Sequence, residues 1–276
     1  MNTHEIDRAA GLIADADALI IAAGAGMSVD SGLPDFRGSQ GVWTTLGSPG
    51  ATNDGLHELL QGSCFTANSR MAMEFYGRAL DVCRRTTPHQ GYGLLLGWAR
   101  KKAHGAFVYT SNVDGQFQAA GFTEAHILEC HGSIHHFQCA RPCSPHIWPA
   151  SEISKSMRTT HSADWPRCAR CGGPARPNVL LFSDPAWLVS RTNAQRLRLE
   201  VWRSAPENPV VIEIGAGLAL PSVRMFSESL RIPLIRINTH DVHAAIATAV
   251  TLQGTALAVL QRIDRELSRR LAPANP

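Results

Sequence analysis

Residues 18–38 read ALIIAAGAGMSVDSGLPDFRG, and this stretch decides the fold. Its first six residues are apolar and predict a buried strand, which is followed by the small residues Gly24, Ala25 and Gly26. Small side chains let the backbone come close to a ligand, and the next segment is able to begin a helix. The free amides and the positive end of such a helix favour a diphosphate. A glycine-rich turn alone is weak support for such a site, but the continuation Pro34–Gly38 makes the pattern more specific.

The length and charge of the chain limit its class. With 276 residues it forms one large domain, or one domain with a smaller insert. The formal net charge of +3 is slight and no long run of Lys or Arg occurs, so we expect no nucleic-acid partner. The N-terminus lacks a signal-peptide pattern, and no apolar run approaches the roughly 20 residues that span a bilayer. We therefore expect a cytoplasmic protein with no membrane partner, and the oligomeric state stays open.

Apolar segments of strand and helix type alternate along most of the chain. We expect an α/β fold: a doubly wound, Rossmann-like parallel sheet with helices on both faces. Residues 38–64 are rich in Gly, Ser, Thr and Asn and predict a long mobile loop. Residues 1–132 and 179–276 are assigned to the sheet domain, and residues 133–178 to a small inserted module. The patterns predict helices at 4–15, at 69–102 with an interruption near 86–88, and at 255–271, and strands at 18–23, 107–109, 127–128, 210–214 and 234–237.

Polar residues follow several of the predicted strands. In a parallel sheet the carboxyl ends of the strands meet at one crevice, where ligands bind. Asn112 and Asp114 follow one strand and are able to pair with an amide or position a water, although Asn-Val-Asp-Gly is also ordinary turn chemistry. His131 follows the next strand and is a candidate general base, because a neutral imidazole titrates near working pH; a structural histidine is the alternative.

Four of the seven cysteines form two closely spaced pairs, Cys139 with Cys143 and Cys168 with Cys171. Two such pairs supply the four thiolates of a tetrahedral zinc site, in which no coordination position stays open for catalysis. We therefore predict one structural zinc, with buried free thiols as the alternative. Four neighbouring histidines offer substitute metal ligands, but each is expected at the surface: His135, His136, His146 and His161. Cys64 and Cys83 have no assignable role and are expected to be buried or half-buried free thiols, and the role of Cys130, which stands beside His131, stays open.

Taken together, these motifs resemble those of the sirtuins of bacterial type, which are NAD-dependent protein deacylases. The resemblance extends along most of the chain, in the family's order. The matching segments are Gly24–Ser28 with Ser31–Gly38, Gly41–Trp43, Asn112–Gly115 with Ala120-Gly121, Glu129–Ser133, the four cysteines, Arg176–Phe182 as a strand that pairs with substrate peptide, Gly215–Leu218 and Ile237-Asn238.

The resemblance implies that NAD is the co-substrate and binds between the sheet domain and a zinc module. It implies attack of an acyl-lysine oxygen on the nicotinamide ribose, loss of nicotinamide, and action of His131 as base on a ribose hydroxyl. The products are free lysine, nicotinamide and O-acyl-ADP-ribose, and the partner is an acylated lysine peptide or protein. Asn112 and Asp114 belong to the reaction site with His131. The residues implied to bind NAD are Gly24, Ala25, Gly26, Ser28, Asp35, Phe36, Arg37, Ser111, Gly215, Ala216, Gly217 and Asn238.

Several residues depart from the family pattern. Ser111 replaces the usual Gln beside the nicotinamide ribose, and Gln116-Phe117 replaces Leu-His. Phe182-Ser183-Asp184 replaces Phe-Gly-Glu near the acyl-lysine tunnel. Tyr76 and Arg78 resemble a pair that reads acidic acyl groups in some members, with Arg one position early; both are equally consistent with a solvent-facing helix surface.

Three functions remain open on the sequence. The first is a lysine deacylase, which needs His131 and an open acyl tunnel. The second is an NAD glycohydrolase or ADP-ribosyltransferase, which uses the same pocket for the first half of the chemistry. The third is a non-catalytic NAD sensor, against which the retained His131, Asn112 and Asp114 argue. Nicotinamide release without an acyl peptide separates the first two.

Overall fold

The structure, a computed structural model, describes residues 3–34, 57–67, 69–150, 165–244 and 249–271. The two largest gaps hold most of the glycine- and serine-rich segment after the first strand and part of the cysteine module. In chain order the elements are α1 (Thr3–Asp15), β1 (Ala18–Ala23), α2 (Gly26–Val29), α3 (Cys64–Ala67), α4 (Ser69–Arg85), α5 (Gln90–Ala99), β2 (Ala106–Thr110), α6 (Gln116–Ala119), β3 (Ile127–Glu129), β4 (Gly132–Cys139), β5 (Ile147–Pro149), β6 (Ala175–Val179), α7 (Ser190–Arg203), β7 (Pro209–Ile214), α8 (Ser222–Ser229), β8 (Leu234–Asn238), β9 (Val250–Gln253) and α9 (Ala256–Leu271).

The larger sheet has six strands in the order β3-β2-β1-β7-β8-β9, and every neighbouring pair is parallel. The chain therefore builds outward from β1 in one direction and then from β7 in the other. This is the doubly wound arrangement, and its switch point lies between β1 and β7. The predicted α/β fold is confirmed. The loops after β1 and β7 leave the sheet side by side at the position where such folds bind ligands.

The central strand β1 is buried along its whole length, which explains its unbroken apolar sequence. Leu19 and Ile21 pack into a core formed with α1, α5 and α9. Ile20 packs on the opposite face, in a core that includes Val223 of α8 and Leu234 of β8. Since alternate residues of one strand reach two different cores, helices cover both faces of the sheet, as predicted.

A second sheet has three antiparallel strands in the order β5-β4-β6, and its first strand begins directly after His131. Its core is shared with α4, which contributes Phe75 and Leu80. The boundaries proposed for the small module, 133–178, nearly coincide with the beginning of β4 and the end of β6. The side chains of α4 join the same core from outside those boundaries, and the domain division stays a prediction.

Several elements differ from the sequence-based expectations. The elements α7, α8 and β9 were not predicted, and the strand expected over 176–182 ends at Val179. The amide of Phe182 instead donates to the carbonyl of Leu60, and that of Gly62 donates back to Phe182. Leu59 is buried in the second core, so the end of the expected 38–64 loop has an apolar anchor. Residues 38–56 lie outside the described ranges. Among the described helices, none has the length and apolar character needed to cross a membrane.

Gly132 joins His131 to β4, and we expect its replacement by alanine to destabilise the protein. Its φ is +78°, and a Cβ there would lie 2.0 Å from the carbonyl oxygen of Asn178. Left-handed strain and the clash together predict a loss of about 3 kcal/mol in the free energy of unfolding. Urea unfolding measures this loss. The matched control is Gly93→Ala in α5, where nothing lies within 4 Å of the added Cβ. Its free energy of unfolding should be unchanged or higher, because alanine favours a helix over glycine. Equal stability of the two variants would contradict the expectation.

Candidate active site

The loops after β1 and β7 touch backbone to backbone at the switch point. A Cβ on Gly24 would lie 2.6 Å from the carbonyl oxygen of Gly215, and a Cβ on Gly215 would lie 2.4 Å from the carbonyl carbon of Gly26. Gly215 has a φ of +63°, which favours glycine. These three glycines are therefore required for the two loops to meet. The meeting point is the place where a Rossmann-type fold brings its backbone to a diphosphate.

The amides of the β1 loop are mostly engaged within the protein. Gly24 donates to Ile214, Gly26 donates to Gly215, and Met27 donates to Gly24. The amide of Ser28 donates to the carbonyl of Ala25 in the same turn. The prediction that Gly24, Ala25, Gly26 and Ser28 bind NAD thus rests on close backbone approach at this loop. It does not rest on a row of free amides.

A hydrogen-bonded cluster joins the ends of β1 and β2. Ser28 Oγ donates to Asp114 Oδ2 at 2.6 Å, and Asn112 Nδ2 donates to Ser28 Oγ at 3.1 Å and to the carbonyl of Gly24 at 3.0 Å. The hydroxyl of Tyr92 lies 2.9 Å from Ser28 Oγ. Because the one Ser28 proton goes to Asp114, the Tyr92 hydroxyl must be the donor in this contact. The cluster therefore has a fixed direction that ends on the Asp114 carboxylate.

Asp114 is held from both sides. Its Oδ1 accepts the amide of Gln116 at 2.9 Å, and its carbonyl lies 2.8 Å from His135 Nε2. Burial raises the pKa of the Asp114 carboxyl, while the bonds from Ser28 and Gln116 act in the opposite direction. His135 also packs against Gly115, where a Cβ would lie 2.6 Å from the imidazole. Strand β4 therefore fixes the turn that carries Asn112 and Asp114.

Tyr92 supports this cluster, and we expect Tyr92→Phe to weaken it. The variant removes the donor to Ser28, so it should reduce the free energy of unfolding by about 1 kcal/mol. A matched control is Asp264→Ala. Asp264 accepts a hydrogen bond of 2.8 Å from Nε1 of Trp98, which lies on α5 like Tyr92 but away from the cluster. Denaturant unfolding is measured for both variants, together with kcat/KM for the deacylation that the sirtuin resemblance implies. We expect similar stability losses, with a several-fold fall in kcat/KM for Tyr92→Phe alone. An unchanged kcat/KM for Tyr92→Phe would contradict this role.

His131 follows β3 and is partly buried at the same edge of the sheet. Its Nε2 lies 3.2 Å from Ser222 Oγ of α8. Burial lowers the pKa of the imidazole below its ordinary value near 6.5, and a hydrogen bond with the Ser111 backbone opposes this. The ring is therefore neutral at neutral pH, which is the form that a general base requires.

The loop after β7 is closed by two side chains. The carbonyl of Ala216 accepts Asn238 Nδ2 at 2.9 Å and Arg224 Nε at 3.0 Å. Gly217 follows and is exposed. The predicted residues Gly215, Ala216, Gly217 and Asn238 thus form one continuous wall of the crevice, next to Gly26. The Asn238 side chain shapes this wall through Ala216, a function that the sequence did not indicate.

The structure thus brings four predicted segments to the carboxyl edge of the sheet. These are the β1 loop, the Asn112–Asp114 turn, His131 and the β7 loop. Ser111 lies among them, because its amide donates to Ala23 at the end of β1. Asp35, Phe36 and Arg37 lie outside the described residues, and their predicted contacts with NAD stay predictions.

The four cysteines form one cluster whose sulfur atoms all lie within 4.8 Å of one another. Cys139 Sγ lies 3.7 Å from Cys171 Sγ, and Cys143 Sγ lies 3.5 Å from Cys168 Sγ. Thiolates about 2.3 Å from a tetrahedral zinc are about 3.8 Å apart, so both the donor set and its spacing fit zinc. Four sulfur ligands leave no position for substrate. The predicted structural role of the metal agrees with this geometry.

Two histidines of β4 differ from the prediction of surface positions. His135 is half-buried against Asp114, as described above. His136 is also half-buried, and burial together with the nearby Arg191 lowers its pKa to about 4. His146 is exposed, as predicted. His161 lies outside the described residues.

The departures from the family pattern have distinct structural settings. Phe117 packs edge-to-face on Tyr92 with ring centroids 4.9 Å apart, so it fills the core beneath the Ser28 cluster. Ser183 has a φ of +49°, a conformation that favours the glycine usual at this position. Tyr76 is buried, and its hydroxyl donates to the carbonyl of Leu59 at 3.0 Å. The solvent-facing interpretation of Tyr76 is therefore wrong, and its hydroxyl is already engaged within the protein.

Two polar side chains of the site were missed on the sequence. Tyr92 lies in an apolar helix and has the pattern of an ordinary core residue. Ser222 begins a helix directly after Pro221, which makes it a typical helix-start residue. Both residues are recognised only by their partners in the folded structure. Tyr92 is 64 residues from Ser28 in the sequence, and Ser222 is 91 residues from His131.

Comparisons with known proteins identify relatives of this chain. The model of the Sir2 family matches residues 24–216. The NAD-dependent protein deacylase 2 of Pyrobaculum aerophilum is 29% identical over 273 residues, covering 95% of this chain and 96% of the relative. The NAD-dependent protein deacetylase of Shouchella clausii is 30% identical over 216 residues, covering 76% and 77%. A solved Sir2 homologue mutant in complex with ADP-ribose has a TM-score of 0.73 at 20% identity, covering 98% of this chain and 99% of that chain.

Proposed function

The chain belongs to the Sir2 family, and we propose that it is an NAD-dependent protein lysine deacylase that acts on an acylated lysine of a peptide or protein. One observation carries the proposal. The Ser28–Asn112–Asp114 cluster and the neutral His131 lie at the same edge of the sheet, beside the glycine-lined contact between the β1 and β7 loops. This edge can hold a dinucleotide, a carboxamide and a base together.

The glycine contact is where the diphosphate of NAD fits. Gly24 and Gly26 face Gly215 at distances that exclude any Cβ, so the backbone itself lines this part of the crevice. Ala216, Gly217 and Asn238 extend the wall toward the ribose end. When bound, NAD supplies a ribose carbon that becomes electrophilic as nicotinamide leaves.

The Ser28–Asn112–Asp114 cluster is suited to bind the nicotinamide carboxamide or an ordered water beside it. Both protons of the Asn112 amide are used on Gly24 and Ser28, so the side chain has one fixed orientation. The Asp114 carboxylate is fixed by Ser28 and Gln116. Fixed polar groups need no rearrangement as charge develops in the reaction, which is why such a cluster favours catalysis.

His131 is the base in this proposal. Its imidazole is kept neutral by burial, so Nε2 or Nδ1 is able to accept a proton from a ribose hydroxyl. Since protonation removes this capacity, deacylation should fall as the pH falls through the pKa of His131. That pKa lies below 6.5, and the acidic limb of the rate profile should lie there too.

The zinc cluster supports the second sheet and takes no part in the chemistry. Two of its cysteines lie at the end of β4 or just after it, and the other two precede β6. Strand β4 begins directly after His131, and Val179 at the end of β6 pairs with Gly132 beside it. The expected contribution is to hold β4, and with it His135 against the Asp114 turn. Cytoplasmic location stays a prediction.

Mass spectrometry of a reaction with NAD tests the proposal. The protein is incubated with NAD alone and with NAD plus a mixed acyl-lysine peptide library. We expect nicotinamide release that depends on peptide, together with a matching acyl-ADP-ribose that identifies the acyl group. Release without peptide would instead indicate a glycohydrolase, or a transferase if ADP-ribose is found on protein. NAD binding without release under either condition would indicate a sensor.

A further inference from the structure

Ser222 is the polar side chain of α8 that reaches His131. It is the first residue of the helix, and its Oγ lies 3.2 Å from Nε2 of the imidazole. The two residues belong to different halves of the chain, since His131 follows β3 and Ser222 follows the β7 loop. The contact therefore joins the proposed base to the wall that is proposed to hold NAD.

The protons of the imidazole determine the direction of this contact. A neutral imidazole has one N–H donor and one acceptor nitrogen. A hydroxyl that donates to Nε2 requires this nitrogen to be unprotonated, and the one ring N–H then lies on Nδ1. The direction of the Ser222 contact therefore fixes the tautomer.

We infer that Ser222 is a positioning residue, whose hydroxyl donates to Nε2 of His131 and holds the imidazole as its Nδ1–H tautomer. This inference rests on the proposed function in one respect, namely that His131 is the base. The Ser222 bond keeps the lone pair on Nε2, and the nitrogen that can take a ribose proton is thereby selected before substrate binds. Ser222 itself acts through His131.

Hydrogen bonds, and not neighbouring charges in the described part of the chain, act on the imidazole of His131. Among the described residues, burial and the Ser111 backbone act on its titration, and no charged side chain of β3, β4 or α8 contributes. Ser222 also places the ring at the beginning of α8, where the positive end of the helix disfavours an imidazolium. The neutral form is thus favoured by the same element that supplies the hydroxyl.

Nuclear magnetic resonance of histidine-labelled protein tests the inference without any assay of turnover. In the wild-type protein we expect the ¹⁵N shifts of His131 to indicate the Nδ1–H tautomer. In Ser222→Ala the loss of the donor to Nε2 removes a preference for the neutral form. The pKa of His131 should therefore rise by about half a unit, and the tautomers should become mixed.

Two further variants serve as controls. Ser222→Thr retains a hydroxyl at the same place and should restore the wild-type tautomer and pKa. Ser229→Ala removes a hydroxyl from the exposed end of the same helix, where it donates to Phe226, and should change neither value. The acidic limb of kcat/KM should move to higher pH in Ser222→Ala by the same amount as the pKa.

An Nε2–H tautomer in the wild-type protein would overturn the inference, and so would a His131 pKa that does not change or that falls in Ser222→Ala. These outcomes leave the proposed deacylase function intact. If instead the NMR changes occur but the wild-type enzyme releases no nicotinamide with any acyl peptide, the proposed function fails while the Ser222–His131 contact stands.

Discussion

His131→Ala is expected to reduce peptide deacylation by about 10²- to 10⁴-fold, the contribution typical of a general base. NAD binding should stay largely intact, because the glycine contact that is proposed to hold the diphosphate does not involve His131. The base is proposed to act after nicotinamide has left. Exchange of labelled nicotinamide into NAD, which requires only the earlier step, should therefore persist in the variant.

His146→Ala is the matched control for this experiment. His146 is exposed and stacks on Trp148, so its loss should change neither deacylation nor exchange. Steady-state deacylation, nicotinamide exchange and NAD titration are measured for both variants. Unchanged deacylation in His131→Ala would remove His131 from the mechanism. A parallel loss of exchange and NAD affinity would show that the residue supports the pocket instead.

Cys168→Ser is expected to remove zinc and much of the stability. The serine hydroxyl replaces one of four thiolates whose spacing fits a tetrahedral metal, and three ligands bind zinc far more weakly. Loss of a structural metal belongs to the class of changes that cost more than about 4 kcal/mol, and for a chain of this size the melting temperature should fall by about 10 °C or more. We expect one zinc per chain in the wild-type protein and a small fraction of that in the variant.

Cys83→Ser separates this effect from the loss of any thiol. Cys83 is half-buried, and burial raises its pKa to about 12, as is typical of an inert thiol outside the cluster. The variant should retain one zinc, with a smaller change in melting temperature. Elemental analysis and thermal unfolding are the measurements. A freshly purified wild-type protein without zinc, or a Cys168→Ser variant that retains it, would contradict the structural zinc.

The central strands of the fold were predictable because their physics is local. The segment 18–23 and its partner β7 are buried on both faces, so their sequences are apolar runs, interrupted only by Glu213 of β7, which pairs with Arg236. The edge strand β9 has no such run. Helix α7 buries Thr192 and Gln195 beside Leu199, and it therefore lacks the apolar stripe by which a helix is recognised.

The candidate site was predictable in part for the same reason. The topology of a parallel sheet brings strand ends together, so Ser28, Asn112, Asp114 and His131 were expected at one edge, and the structure places them there. The contacts of Tyr92 and Ser222 depend on how α5 and α8 pack against those ends. His135 was expected at the surface, but an irregular segment of β4 between Ser133 and Phe137 brings it against Asp114. Such tertiary placement leaves no local signal in the sequence.

The ratio of products tests the central proposal most directly. The wild-type protein is incubated with NAD and one acyl-lysine peptide that it accepts, and nicotinamide, deacylated peptide and acyl-ADP-ribose are quantified in the same sample. A deacylase predicts equal amounts of all three throughout the reaction. Nicotinamide in excess, accompanied by free ADP-ribose and an unchanged peptide, would contradict the account and show that the pocket hydrolyses NAD.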